Sequence, residues 1–83
     1  MKQEATFALT ISKVDEQLFN GDANSVTLPG AKGQLTVLAH HEPFIALLDK
    51  GVITVRSENE TKFEITRGMC EISNNQVTVL VQE

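Results

Sequence analysis

Apolar and polar side chains alternate along most of this chain. Phe7, Leu9 and Ile11 alternate with Thr6, Ala8, Thr10 and Ser12, which puts the apolar set on one side of an extended strand. The same period of two recurs in Val26 and Leu28, in Leu35 and Val37, and in Ile53 and Val55. It returns in Phe63 and Ile65, in Cys70 and Ile72, and in Val77, Val79 and Val81. Each run predicts a half-buried strand with one wet face. Phe44 to Lys50 is the one segment that could pass for a helix, and it is shorter than a typical helix.

Turn chemistry separates the runs at short intervals. Asn20-Gly21, Pro29-Gly30 with Gly33, Glu58-Asn59-Glu60, Arg67-Gly68 and Asn74-Asn75 all supply residues suited to tight connections. The expected fold is all-β: an antiparallel β-sandwich of about eight to ten short strands, since parallel strands would need crossover helices. With 83 residues and no linker or internal repeat, one domain over residues 1–83 is expected.

Composition narrows the function classes. A net charge of -4 with scattered lysines and arginines argues against nucleic acid as a partner, because that affinity comes largely from neutralising phosphates. A lone cysteine, Cys70, excludes an intrachain disulfide framework and a cysteine-rich zinc site. The polar start Met1-Lys2-Gln3-Glu4 is not a secretory signal, and no stretch approaches the roughly 20 apolar residues of a spanning helix. The expectation is a soluble, cytoplasmic chain with no direct membrane insertion. Asn59-Glu60-Thr61 matches the glycosylation pattern only by chance on this reading.

Candidate chemistry is sparse. Ala39-His40-His41-Glu42-Pro43 offers two imidazoles and a carboxylate, yet neighbours on an extended chain point in opposite directions and do not readily share a metal ion. Cys70 falls on the buried phase beside Ile72, as a small core residue would. Pro29-Gly30-Ala31-Lys32-Gly33 lacks Walker spacing and a following helix, so it reads as an exposed hairpin tip. No catalytic, cofactor-binding or metal site is expected, and a small β module of this kind suits an adaptor better than an enzyme. A competing reading, a hydrolase or metal enzyme using His40, His41, Glu42 and Cys70, requires those groups to converge in one pocket.

The order of motifs resembles the epsilon-subunit family of F-type ATP synthases, in its N-terminal β-sandwich domain. Leu18-Phe19-Asn20-Gly21 is similar to the family's "F-x-G" turn, and Val26 to Leu35 to its "V-x-G-x-x-G-x-L" hairpin. His41-Glu42-Pro43 falls at "H-x-P", an apolar stretch leads to Lys50-Gly51, and Gly68-Met69 with Val77-Thr78-Val79-Leu80 matches the ending. Three positions depart from the pattern: Ala39 where the family often has Pro, Gln34 where an acid is common, and Thr36 where Gly is frequent.

The resemblance implies a non-catalytic rotor subunit, peripheral on the cytoplasmic face of the energy-coupling membrane. Its partners would be the gamma subunit and the polar loops of the c-ring, and its role would be to couple rotation of the two during ATP synthesis. By position in the motif, Lys32, Gly33 and Gln34 would face the c-ring, and His41 would lie near the ring or gamma. Val52, Leu80 and Met69 fall opposite the buried phase, as candidates for a gamma-facing surface or for the core of a second sheet. The family usually continues into an inhibitory helical hairpin, so a chain ending at Glu83 is expected to couple but not to brake by that route. The alternative is a free-standing cytoplasmic β-sandwich adaptor.

Overall fold

Residues 5–83 are described by the computed structural model, and the alternating runs all emerge as strands. In chain order these are β1 (Phe7–Lys13), β2 (Glu16–Ala23), β3 (Ser25–Gly30), β4 (Gly33–Leu38), β5 (Phe44–Leu48), β6 (Gly51–Arg56), β7 (Glu60–Ile65), β8 (Arg67–Ser73) and β9 (Gln76–Gln82). The strands follow the path β2-β1-β9-β8-β5-β3-β6-β7, with β4 on the other side of β3. The path turns a corner where β5 meets β3 through the single pair Gly30–Leu48. Two layers result, β2-β1-β9-β8-β5 and β4-β3-β6-β7.

The core lies between them. Leu9, Ile11, Ile72, Cys70 and Val79 from the first layer meet Val26, Leu28, Val37, Ile53 and Val55 from the second, all fully or almost fully buried. Burying each large aliphatic side chain is worth about 1.5–3 kcal/mol relative to exposure, so the alternation itself drives the layers together. Among the described residues no polar or charged side chain is buried.

One ladder departs from the antiparallel expectation. β1 runs parallel to β9, with Leu9 opposite Val77 and Ile11 opposite Val79. The rule that parallel neighbours need a crossover helix holds for strands close in sequence. Here nearly the whole domain is the connection, so the first and last strands meet without one.

Two local expectations are corrected, and the one segment that could pass for a helix is settled. Leu18-Phe19-Asn20-Gly21 is no turn but the middle of β2, with Asn20 opposite Thr10 and Gly21 opposite Leu9. The reversal comes earlier, at Val14-Asp15, and the ladder absorbs Leu18 as a bulge between Ile11–Phe19 and Ser12–Gln17. Arg67-Gly68 opens β8, because the chain changes layers at Thr66, whose N–H donates to the Gln82 carbonyl at 2.8 Å. Phe44 to Leu48 is a strand: five residues cannot hold a helix against the ladder that β8 offers along their whole length. Asn74 and Asn75 do form the expected tight turn, at φ of 53° and 58°.

Candidate functional site

Layer β2-β1-β9-β8-β5 carries an apolar patch on its outer face. Leu47 on β5 lies opposite Met69 on β8, and Met69 lies opposite Leu80 on β9. Their inward neighbours Leu48, Cys70, Val79 and Val81 fill the core, so strict alternation leaves these three on the outside. Ile45, two residues before Leu47, adds a fourth and is 65% exposed. Four large apolar side chains in adjacent positions form a patch, unlike apolar residues scattered singly over a surface.

Beside this patch the end of the layer opens into a groove of about 1240 Å³. Val14, Leu47, Met69 and Leu80 form its apolar lining, with Lys13, Glu16 and Arg67 among its charged residues. Lys13 donates to Glu83 at 3.0 Å and lies 3.4 Å from Glu16, and Glu83 first, then Glu16, raise its pKa above the usual 10.5. Arg67 donates from Nε to Gln82 Oε1 at 2.9 Å. Gly68 sits against the groove floor for a steric reason: a Cβ there would come within 2.5 Å of the Leu80 carbonyl oxygen.

The hairpin tip borders the same end. Ala31 lines the groove and donates its N–H to the Leu47 carbonyl at 2.9 Å. Lys32 and Gly33 stand exposed beside it, and Gly33 holds a φ of 126° that side-chain-bearing residues rarely adopt. Gln34, the next residue, is also exposed, along the outer face of the second layer.

His41 belongs to the opposite end. Its ring lies 6.0 Å from that of Phe44, at the start of β5, whereas the tip meets Leu48 at the strand's other end. The length of β5, roughly 13 Å, separates them. His41 Nδ1–H donates to the Glu42 carbonyl at 2.8 Å, a local bond that fixes the loop. Lys32, Gly33 and Gln34 therefore come together, and His41 does not join them.

The remaining candidates divide as follows. Met69 and Leu80 belong to the apolar patch, but Val52 lies on β6 opposite Glu64, in the other layer. All three are exposed, so none belongs to a second core. Cys70 is fully buried, and burial pushes its thiol up to about 11, far from the thiolate that nucleophilic chemistry needs. It does not meet exposed His40 and Glu42, so the pocket required by the enzyme reading is not formed.

Ile45 and Leu47 were missed by the alternation. Phe44-Ile45-Ala46-Leu47-Leu48 is apolar throughout and gives no phase. The run is itself a signal, because a strand that is apolar on both faces is one with a use for its outer side.

Comparison with known proteins places the chain in a family. The profile of the "ATP synthase, Delta/Epsilon chain, beta-sandwich domain" matches residues 6–83. The chain belongs to that family. The resemblance read from the ordered motifs is thereby borne out. Its relatives include an ATP synthase epsilon chain of Protochlamydia amoebophila, 41% identical over 76 residues that make up 89% of this chain and 52% of the relative. Another, from a Synechococcus species, is 40% identical over 68 residues, 81% of this chain and 49% of its own. The chain thus spans about half the length of these two curated relatives.

Solved structures agree. A chain of the Euglena gracilis mitochondrial ATP synthase, determined with its c-ring in one rotational state, superposes with a TM-score of 0.88 at 25% identity. The match covers 95% of this chain and 52% of that one. A chain from the Tetrahymena thermophila mitochondrial ATP synthase, solved as its central stalk and c-ring, gives 0.83 at 16% identity over 99% of this chain and 67% of its own, a likeness of fold. In this delta/epsilon sandwich the apolar row Leu47–Met69–Leu80, the groove and the hairpin tip share one end.

Proposed function

We propose that this delta/epsilon sandwich serves as a non-catalytic rotor element of an ATP synthase, peripheral on the cytoplasmic face of its membrane. It docks the gamma subunit and abuts the polar loops of the c-ring, so that rotation driven at the ring passes to the shaft without slippage. The chain supplies stiffness and surfaces, and no step of ATP synthesis takes place on it. Among the described residues no helix is long and apolar enough to cross a membrane.

The observation that carries this reading is the continuous apolar row Leu47–Met69–Leu80 with Ile45, on the outside of a sandwich of this family. A lasting joint buries at least about 1,000 Å² and concentrates its energy in a few desolvated apolar anchors. This row supplies such anchors, and the adjoining groove gives a partner's side chains somewhere to enter. We assign it to gamma. A contact with polar loops fits the other feature of that end, the exposed polar tip of Lys32, Gly33 and Gln34. His41, at the far end, is then a second and separate contact, to gamma rather than to the ring.

Native mass spectrometry of the chain mixed with the gamma subunit of the same cell tests the proposal. A one-to-one complex is the expected result. A chain that remains alone at micromolar concentrations overturns it in favour of a free-standing adaptor.

A further inference from the structure

The apolar row on the outside of the first layer is a stripe one residue wide. Leu47, Met69 and Leu80 stand side by side across β5, β8 and β9, and the row ends at Ser12 of β1, the partner of Leu80. Polar rows bound it on both sides. Toward the groove Arg67 faces Gln82, and toward the far end Glu71, Thr78 and Thr10 follow one another. Ile45 is the one apolar side chain of that second row, at its β5 end opposite Glu71.

A stripe of this shape selects the form of what covers it. Neighbouring strands are about 4.8 Å apart, so Leu47 and Leu80 are separated by roughly 9.6 Å, with Met69 midway. The apolar face of an α-helix repeats at every third or fourth residue, and residues seven apart lie about 10.5 Å along its axis. Successive contacts of a helix therefore stay in step with the row. An extended segment repeats its facing side chains about every 6.6 Å and would be out of step by roughly 3.6 Å at the second contact.

The flanks agree in width. On β8, Arg67 and Glu71 lie two residues to either side of Met69, each roughly 6.6 Å away. A helix with its side chains is about 10–12 Å across, so one centred over Met69 brings its polar margins to Arg67 on one side and Glu71 on the other. Neither makes an ion pair among the described residues, whereas Lys13, the groove's other lysine, is held by Glu16 and Glu83. Asp49, which lines the groove just after β5, is also in no ion pair among the described residues.

We infer that the gamma element covering this row is an amphipathic helix lying across β5, β8 and β9, with a carboxylate on the margin facing Arg67 and a basic residue on the margin facing Glu71. Asp49 places a second base at the Leu47 end of the first margin. The inference rests on the assignment of the row to gamma, and adds the form and charge of the partner.

Photocrosslinking of the complex with gamma tests it. Leu47, Met69 and Leu80 are all exposed, and each is replaced in turn by p-benzoylphenylalanine. After illumination, peptide mapping should place all three attachments in one segment of gamma. Those from Leu47 and Leu80 should lie about six to eight residues apart, with that from Met69 between them, as a rise of about 1.5 Å per residue requires. A separation of about three residues marks an extended segment and overturns the helix while leaving the rotor reading intact. Attachments scattered over unrelated segments, or none in a complex that forms, have the same meaning. A wild-type chain that does not bind gamma overturns the rotor reading and this inference with it. Arg67→Glu and Glu71→Arg should each lower the affinity about threefold to tenfold, and more so at low salt. Affinity indifferent to both reversals at low salt overturns the charges assigned to the helix.

Discussion

Met69 and Leu80 face each other across the β8–β9 ladder, and both side chains lie on the outer surface while the residues on either side of Leu80 are buried. The pair joins two requirements that usually conflict. Strict alternation is what builds the core, and it would normally place polar residues at the outer positions. Apolar residues there add less to the fold than core residues do and suit a surface that is covered by something else.

Met69→Glu tests that surface directly. Because the side chain is already partly in water, stability should move by no more than about 0.5 kcal/mol in a urea titration. The affinity for gamma should fall at least about tenfold, the cost of leaving a carboxylate in a desolvated joint. Unchanged affinity would assign gamma to another face.

Reversal of charge at Lys32 examines the tip. Lys32→Glu should leave the melting temperature nearly unaltered, since the residue is exposed. Association with c-ring in detergent should weaken, and more so at low salt, where exposed charges are least screened. Ring binding indifferent to this change at every ionic strength would remove the tip from that contact.

Asn75 holds the far end together. Its side-chain oxygen accepts from His40 N–H at 2.7 Å and its amide donates to the Thr6 carbonyl at 2.9 Å, from a backbone at φ 58°. Asn75→Ala loses both bonds and adds left-handed strain, for a destabilisation of about 2 kcal/mol. Asn75→Gly loses the same bonds without the strain and should be measurably less destabilised. Equal losses in the two variants, by chemical denaturation, would show that the turn conformation carries no cost.

The Cys70 thiol predicts an alkaline weakness. Burial raises it from 9.0 to about 11, so between those values the unfolded chain has released a proton that the folded chain retains. Stability must then fall as pH rises across that window, by about 2 kcal/mol in all. Cys70→Ala should start about 1 kcal/mol less stable at neutral pH and lack this slope. Lys13 contributes stability that is lost only above 10.5, and it does so equally in both proteins. A slope that persists in Cys70→Ala would place its origin elsewhere.

Much of the fold could be read from the order of residues. Val77, Val79 and Val81, or Phe7, Leu9 and Ile11, can bury one side only as strands, and Asn74-Asn75 can close a hairpin because both tolerate the left-handed region. The motifs from Val26 to Gly51 carried the family. Asn20-Gly21 misled because turn chemistry is permissive: a pair suited to a hairpin also lies flat in a ladder when β1 offers it one.

By itself, the sequence determined the period of the strands, the buried phase of nearly every one, and the family, since each depends on neighbours within a few residues or on the order of motifs. Only the tertiary structure decided which strands meet. It brought β1 beside β9 in parallel and gathered Leu47, Met69 and Leu80 into one row from three separate segments. It also set His41 and Lys32 at opposite ends of β5. Register between distant strands comes from the packing of the whole core, and no local spacing encodes it.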